Sequence, residues 1–301
     1  MLATCANVDG CPCAKWVLQS PSNALKAGEM LTAKDGQSLS VVRDGRNTGM
    51  AKQSFIDGIQ VLTHKNHLEV TLCLSCIGGE DCYTEVSLAR DEHILAFAAA
   101  GIKEGMVRYD LLPSPVQFWH PKSPSLYELA VRLLDSDGSE MDSKSIHMGF
   151  RDALFCAEGF FLNGQMICPA VMDLTAKAAN PQELQPLKAR QDVNLVLCRI
   201  DKNTSAFLAE CDRQGTVAAA VFPRGYGRAD ISRAILQLGW HPALCAWVVE
   251  ELSWGKKIAP QLAKEDPSRA LLHLERKTGR ILILGGKGEK TQLAGGIALV
   301  D

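Results

Sequence analysis

Three groups of residues in this 301-residue sequence have types and spacings that could do chemistry. Cys11-x-Cys13, and Cys73-x-x-Cys76 with Cys82, could offer thiolates to zinc, which takes four ligands from two such knuckles or from one knuckle and spaced histidines. No second CxxC is present. Leu68, Val70, Leu72 and Leu74 alternate with Glu69, Thr71, Cys73 and Ser75, the period-two signature of a half-buried strand, so Cys73 reads as a small strand residue. The eleven cysteines are expected to be mostly buried free thiols, packing as small hydrophobes, with no metal site. Gly285 to Thr291, GGKGEKT, has the outline of a P-loop. Glu289 stands where a glycine must precede Lys290, however, and too little chain follows for a phosphate-binding helix, so a turn is expected. Asn203-Thr204-Ser205 is a glycosylation sequon that has meaning only after secretion, and Thr204 or Ser205 reads better as a helix cap.

The elements that must position such groups come from pattern. Residues 1–54 carry turn formers throughout, with two short strands at most. From Phe55 to Arg151 period-two runs recur: Ile59 to Thr63, Leu68 to Leu74, Tyr83 to Leu88, Met106 to Leu111, Tyr127 to Leu133 and Ile146 to Phe150. About seven short strands separated by turns is the sequence form of an immunoglobulin-like β-sandwich. After Arg151 the period changes. Helices are expected over Pro181 to Arg190, Ser205 to Gln214, Ala229 to Leu238 and Ile258 to Lys264. Strands are expected over Val193 to Ile200, Val217 to Phe222, Leu244 to Val249 and Ala270 to Leu274, an alternation that argues parallel strands in α/β units. Arg280 to Leu284 and Ile297 to Val300 read as a terminal hairpin around the glycine run.

Composition bounds the rest. Thirty-two Lys and Arg against 34 Asp and Glu give a net charge of -2, so no basic excess drives phosphate binding and nucleic acid is not an expected partner. The most apolar run, Ile235 to Val249, is interrupted by His241 and Pro242, so no membrane span is expected. The first residues lack a basic start and an apolar core, and a cytoplasmic product, or a fragment missing its leader, is the expectation.

Between Pro115 and Gly164 the residues resemble glycoside hydrolase family 2, the group of β-galactosidases, β-glucuronidases and β-mannosidases. Phe118-Trp119-His120-Pro121 with Leu126-Tyr127-Glu128-Leu129 is similar to the family's tryptophan-proline turn and LYxL strand. Gly149-Phe150-Arg151 and Phe161-Leu162-Asn163-Gly164 resemble its passage from sandwich to barrel. Further on, Cys211-Asp212-Arg213-Gln214-Gly215 resembles CDxxG, His241-Pro242-Ala243-Leu244-Cys245-Ala246-Trp247 resembles HPSVxxW, and Asp266-Pro267-Ser268-Arg269 resembles DPTRP. The resemblance implies a β plus α/β chain: an immunoglobulin-like sandwich over 55–151, then an incomplete (β/α)8, TIM-type barrel over 152–301. About 150 residues hold roughly five barrel strands, whereas a full barrel takes about 250 residues.

The resemblance also implies chemistry: hydrolysis of terminal β-glycosides, without a cofactor. Retaining hydrolysis needs two carboxyl groups roughly 5 to 5.5 Å apart, one a nucleophile and one an acid and base. In the family the acid is the Glu of an Asn-Glu pair closing the HPSVxxW string; here the string ends Trp247-Val248-Val249-Glu250-Glu251-Leu252. An ungapped alignment puts Glu251 on the asparagine, and a one-residue deletion puts Glu250 there and Glu251 on the acid. Glu251 is thus the candidate acid and base, with Glu250, Arg199 and Trp247 as candidate substrate contacts. No nucleophile is found, because the seventh strand is absent and Glu275 and Glu289 sit in no matching string. Impaired catalysis is the expectation, with a noncatalytic carbohydrate-binding or scaffold protein as the alternative, Trp119, Trp240 or Trp254 then serving as sugar platforms. An open barrel also predicts self-association or a covering partner chain.

Overall fold

The computed structural model describes residues 54–75, 82–102, 105–156, 158–167, 170–188, 193–275, 280–285 and 298–300. The irregular segment read over 1–54 thus lies outside the described residues except for Ser54, as do Cys76, Glu289 and most of the glycine run.

The period-two runs become two facing antiparallel sheets. Strands β1 (Phe55–His64), β2 (His67–Ser75), β3 (Tyr83–Arg90), β4 (His93–Gly101), β5 (Met106–Leu111), β6 (Tyr127–Leu134) and β7 (Glu140–Met148) assemble in the orders β1-β2-β5 and β4-β3-β6-β7. Alternate residues of both sheets, among them Leu68, Val70, Leu72, Val86, Leu88, Tyr109, Leu129 and Val131, bury into one core. The Tyr109 hydroxyl crosses that core and donates to the Thr84 carbonyl at 2.8 Å. Strand β4 is absent from the sequence reading because its alanines carry little strand propensity and only Ala96 and Ala100 are buried. It forms nonetheless, since Asp91 and Glu92, both at positive φ, turn the chain back into the β3 ladder as a two-residue hairpin.

The joint comes next. Strands β8 (Ala153–Cys156), β9 (Gly159–Leu162) and β10 (Gln165–Ile167) make a small antiparallel sheet. Its Asn163-Gly164 turn has positive φ at both residues, which this pair tolerates. Asn163 donates through Nδ2 to the Trp119 carbonyl at 2.9 Å, and Trp119 itself is fully buried.

Beyond the joint the strands are β11 (Ala170–Asp173), β12 (Leu195–Arg199), β13 (Val217–Val221), β14 (Leu244–Val249), β15 (Ala270–Glu275), β16 (Arg280–Gly285) and β17 (Ala298–Val300). The helices are α1 (Leu184–Lys188), α2 (Thr204–Gln214), α3 (Arg228–Leu238) and α4 (Leu252–Glu265). The sheet order is β16-β15-β14-β13-β12-β11-β17, with β11 to β15 parallel and in chain order. The expected terminal hairpin does not form. Instead β16 pairs antiparallel with β15, and β17 pairs parallel with β11 at the opposite end of the sheet. The two segments satisfy the two edges that five parallel strands leave open, which one hairpin could not do.

Helix α4 is longer than its periodic core suggests, because Gly255 and Pro260 interrupt the pattern without ending the helix. A Cβ at Gly255 would lie 2.5 Å from Leu284 and 2.6 Å from Val249, so only glycine lets α4 approach the sheet this closely. Among the described residues no helix is long and apolar enough to cross a membrane.

Candidate functional site

Parallel strands alternating with helices present their carboxyl ends, and the loops that follow, as the place where ligands bind. At that rim Arg199 ends β12, Glu250 follows β14, Arg224 lies three residues beyond β13 and Thr175 two beyond β11. Arg199 Nη2 stands 3.3 Å from Glu250 Oε1, and Arg199 Nε donates to the Thr175 carbonyl at 3.3 Å. Arg224 Nε approaches Glu250 Oε2 at 4.0 Å. The Asp173 carboxylate accepts from the Thr175 amide at 2.9 Å and from its hydroxyl at 2.6 Å, which sets the loop carrying that carbonyl. Buried His273 on β15 brings Nδ1 within 3.3 Å of the Val249 carbonyl, next to Glu250. The result is one carboxylate between two guanidinium groups. The Glu250 side chain is only 10% exposed, Arg199 is 36% and Arg224 is 80%, so cationic donors face solvent over a fixed acceptor. Such an array can hold sugar hydroxyls or a carboxylate.

Two of the sequence-derived site residues, Arg199 and Glu250, therefore meet. Glu251 does not join them: it is exposed, immediately precedes α4, and its carboxylate accepts from the Ser253 hydroxyl. Trp247 has no accessible surface, so the direct substrate contact expected of it is corrected to a packing role. Its ring stacks on Phe222 with centroids 5.0 Å apart, and its Nε1 donates to Asp266 Oδ2 at 2.8 Å. The expectation of Trp119 as an exposed sugar platform is corrected for the same reason, since its ring is buried and its Nε1 donates to the Asp212 carbonyl at 2.8 Å. Trp240 and Trp254 are partly buried against the two cores. Glu275 is exposed at the end of β15.

The remaining motifs resolve simply. Cys73 lies half-buried on β2, where burial and the nearby Asp57 raise its pKa, and the Cys82 sulfur lies 3.8 Å from that of Met141. Neither Thr204 nor Ser205 caps α2: Asn203 is the cap residue, Thr204 Oγ1 accepts from the Asp201 amide at 2.7 Å, and Ser205 Oγ lies 3.2 Å from His241 Nε2. Sequence reasoning missed Arg224, Asp173, Thr175 and His273. The available signal was position, since each lies in the last residues of an apolar strand run or just after it.

The opposite end of the sheet is closed. Asp266, fully buried, pairs with Arg269, whose guanidinium also donates to the carbonyls of Leu244, Gly239 and His241 at 2.7, 2.6 and 3.0 Å. Burial alone would raise the Asp266 pKa, but Arg269, the Ser268 hydroxyl and the Trp247 indole together bring it below the usual value. Asp212 accepts from His241 Nδ1 at 2.5 Å and from the Ala243 amide at 2.8 Å, tying α2 to the head of β14.

Residues 84–151 match the family model for glycosyl hydrolases family 2. A curated β-galactosidase of Thermoanaerobacterium thermosulfurigenes is 24% identical over 155 residues, 44% of this chain and 21% of that protein. Among solved structures, a calcium-binding mutant of Bacteroides uniformis β-glucuronidase 2 superposes with a TM-score of 0.62 at 18% identity, covering 73% of this chain and 34% of that one. A β-galacturonidase of Eisenbergiella tayi bound to galacturonate gives 0.58 at 16% identity, covering 74% and 47%. The chain thus spans about a fifth of the curated relative and under half of either of these structures. Residues 84–151 are thus the part of the chain that resembles glycosyl hydrolases family 2.

Proposed function

We propose that this chain recognises a terminal β-glycoside at the carboxyl-end rim of its parallel sheet, with catalysis impaired, and that it favours a uronic acid sugar. The observation that carries this reading is Glu250 held between Arg199 and the largely exposed Arg224. The largely exposed Arg224 guanidinium offers charge-assisted donors that suit an anionic sugar, and solved structures of similar fold are named a β-glucuronidase and a β-galacturonidase.

Impaired catalysis follows from the carboxyl groups. Hydrolysis with retention needs a pair roughly 5 to 5.5 Å apart and free to exchange protons. Glu250 is engaged by arginines, and Glu251, the candidate acid and base, is engaged by Ser253 at the head of α4. Domain readings accompany this function: an immunoglobulin-like sandwich over 55–151 and a partial TIM-type barrel over 152–301. The first, second and fifth strands share one sheet and the third, sixth and seventh the other, which supports the former, although the fourth strand pairs with the third. Self-association or a partner covering the open barrel belongs to the same proposal.

The test is titration of the purified chain with phenyl β-glucuronide, β-galacturonide, β-galactoside and β-mannoside, with turnover assayed in parallel. Saturable binding of the uronides without turnover is expected, weakened about tenfold or more by Arg199→Gln. Absence of saturable binding to every glycoside overturns the reading. Turnover that vanishes in Glu251→Gln overturns the impairment and restores a hydrolase with Glu251 as its acid.

A further inference from the structure

Three side chains that the rim does not use form one hydrogen-bonded line on the helical side of the α/β layer. Ser205 Oγ lies 3.2 Å from His241 Nε2, and His241 Nδ1 lies 2.5 Å from Asp212 Oδ2. Ser205 and Asp212 stand about two turns apart on α2, and His241 reaches between them from the head of β14. Asp212 is 2% exposed, and its second oxygen, Oδ1, accepts from the Ala243 amide at 2.8 Å, which holds the carboxylate in place. A carboxylate only accepts, so Nδ1 carries the proton of the neutral ring and Nε2 is left bare. The Ser205 hydroxyl therefore donates to Nε2. In this order an acid orients an imidazole and the imidazole takes the serine proton, which makes the hydroxyl a nucleophile.

A purely structural link requires neither an open face nor spare donors beside the hydroxyl. Both are present. Asp212 and His241 are buried, whereas Ser205 is half-buried and Ala206 after it is exposed, so solvent meets the line at its nucleophilic end. Asn203, the cap residue of α2, makes no side-chain cap to the first turn. The Asp201 carboxylate is engaged by the amides of Ala179 and Asn203 and by the Thr204 hydroxyl. Among the described residues the amides of Ser205 and Ala206 consequently have no hydrogen-bond partner. Two amide donors at the positive end of a helix, one on the serine itself and one on the next residue, suit the oxyanion of a tetrahedral intermediate. The cavities at the joint of sandwich and α/β layer do not reach Ser205, so the group bound there is small.

We propose that Ser205 is a nucleophile toward carboxylic esters of short acids, such as acetyl esters, with His241 as its general base and Asp212 holding the ring. Ser205 Oγ adds to the ester carbonyl carbon, and its proton passes to His241 Nε2. The bond to the alkoxy oxygen then breaks, and the alcohol leaves with that proton. Water adds to the acyl-serine, again giving a proton to Nε2, and the carboxylic acid departs as Ser205 recovers its hydrogen.

The test treats the intact chain with a fluorophosphonate, whose phosphorus takes the serine oxygen and releases fluoride, and locates the label by peptide mass spectrometry. Labelling at Ser205 is expected about a hundredfold or more faster in the folded chain than in the urea-unfolded chain, where His241 no longer faces the hydroxyl. With p-nitrophenyl acetate a burst of p-nitrophenol followed by slower turnover is expected. Both signals are expected to vanish in Ser205→Ala, with its fold checked by circular dichroism. Labelling no faster in the folded chain overturns the proposal and leaves Ser205 as a structural link. That comparison needs no variant, so it decides the matter even where Ser205→Ala does not fold. Labelling without a burst overturns esters as the substrate class, and a burst unchanged in Ser205→Ala overturns the assignment in favour of another nucleophile.

Discussion

The two ends of one parallel sheet use charged side chains in opposite ways. At the amino ends of β14 and β15 the side chains of Asp212, His241, Asp266 and Arg269 are all under 5% exposed, and each makes hydrogen bonds to groups distant in sequence. At the carboxyl ends Arg199 and Arg224 are partly or largely exposed, and their contacts with Glu250 are long, 3.3 and 4.0 Å. Removing one member of a buried, multiply bonded pair strands its partners without solvent, whereas an exposed pair exchanges its contacts with water almost freely. The closed end therefore holds the layers together, and the open end has donors to spare for a ligand.

The strongest way to break this contrast is Asp266→Ala. It leaves Arg269 and the Trp247 indole without their acceptor, and a loss of about 3 to 5 kcal/mol is expected in urea unfolding. A loss no larger than at the rim would end the distinction.

Acid sharpens it. The folded pKa of Asp266 lies below its ordinary value, so its contribution is fully present above the unfolded pKa of about 3.9 and is lost as pH falls through the lower folded value. Stability of the parent chain should therefore fall below about pH 4 more steeply than that of Asp266→Asn, measured by denaturant midpoints.

Trp119→Phe comes next, since it strands the buried Asp212 carbonyl at the joint; about 1 to 3 kcal/mol is expected. Thiol chemistry gives a smaller, kinetic reading. Cys198 is pushed up to about 12 by burial and then by Asp201, and buried Cys211 and Cys245 are raised as well. Alkylation at these three should keep pace with unfolding, and faster reaction in the native chain would show the closed core to be open. Smallest is Arg224→Ala, expected to change stability by under about 0.5 kcal/mol while weakening uronide binding relative to galactoside binding. Equal weakening of both sugars would detach Arg224 from the carboxylate.

Much of the architecture is legible in the sequence. Period-two runs such as Leu68 to Leu74 and all-apolar runs such as Val217 to Val221 announce half-buried and doubly buried strands, because solvent sorts side chains by face. The strand β4 and the polar first half of β7 were not legible, since their ladders form against neighbours without burying an alternating face. The resemblance placed Arg199, Glu250 and Glu251 near one another in function, and chain order carried the strand ends on which they stand.

What the sequence determined by itself was local: which segments alternate, which segments carry a helical period, and which strings resemble a family. Tertiary structure alone decided that β16 and β17 part to opposite edges, because an edge strand takes whichever partner offers unpaired backbone groups, irrespective of separation along the chain. It alone decided that Glu250 and not Glu251 meets Arg199, since one residue beyond a strand end reverses the direction a side chain faces. And it alone withdrew Trp247 and Trp119 into the core, because burial depends on what packs from elsewhere in the chain.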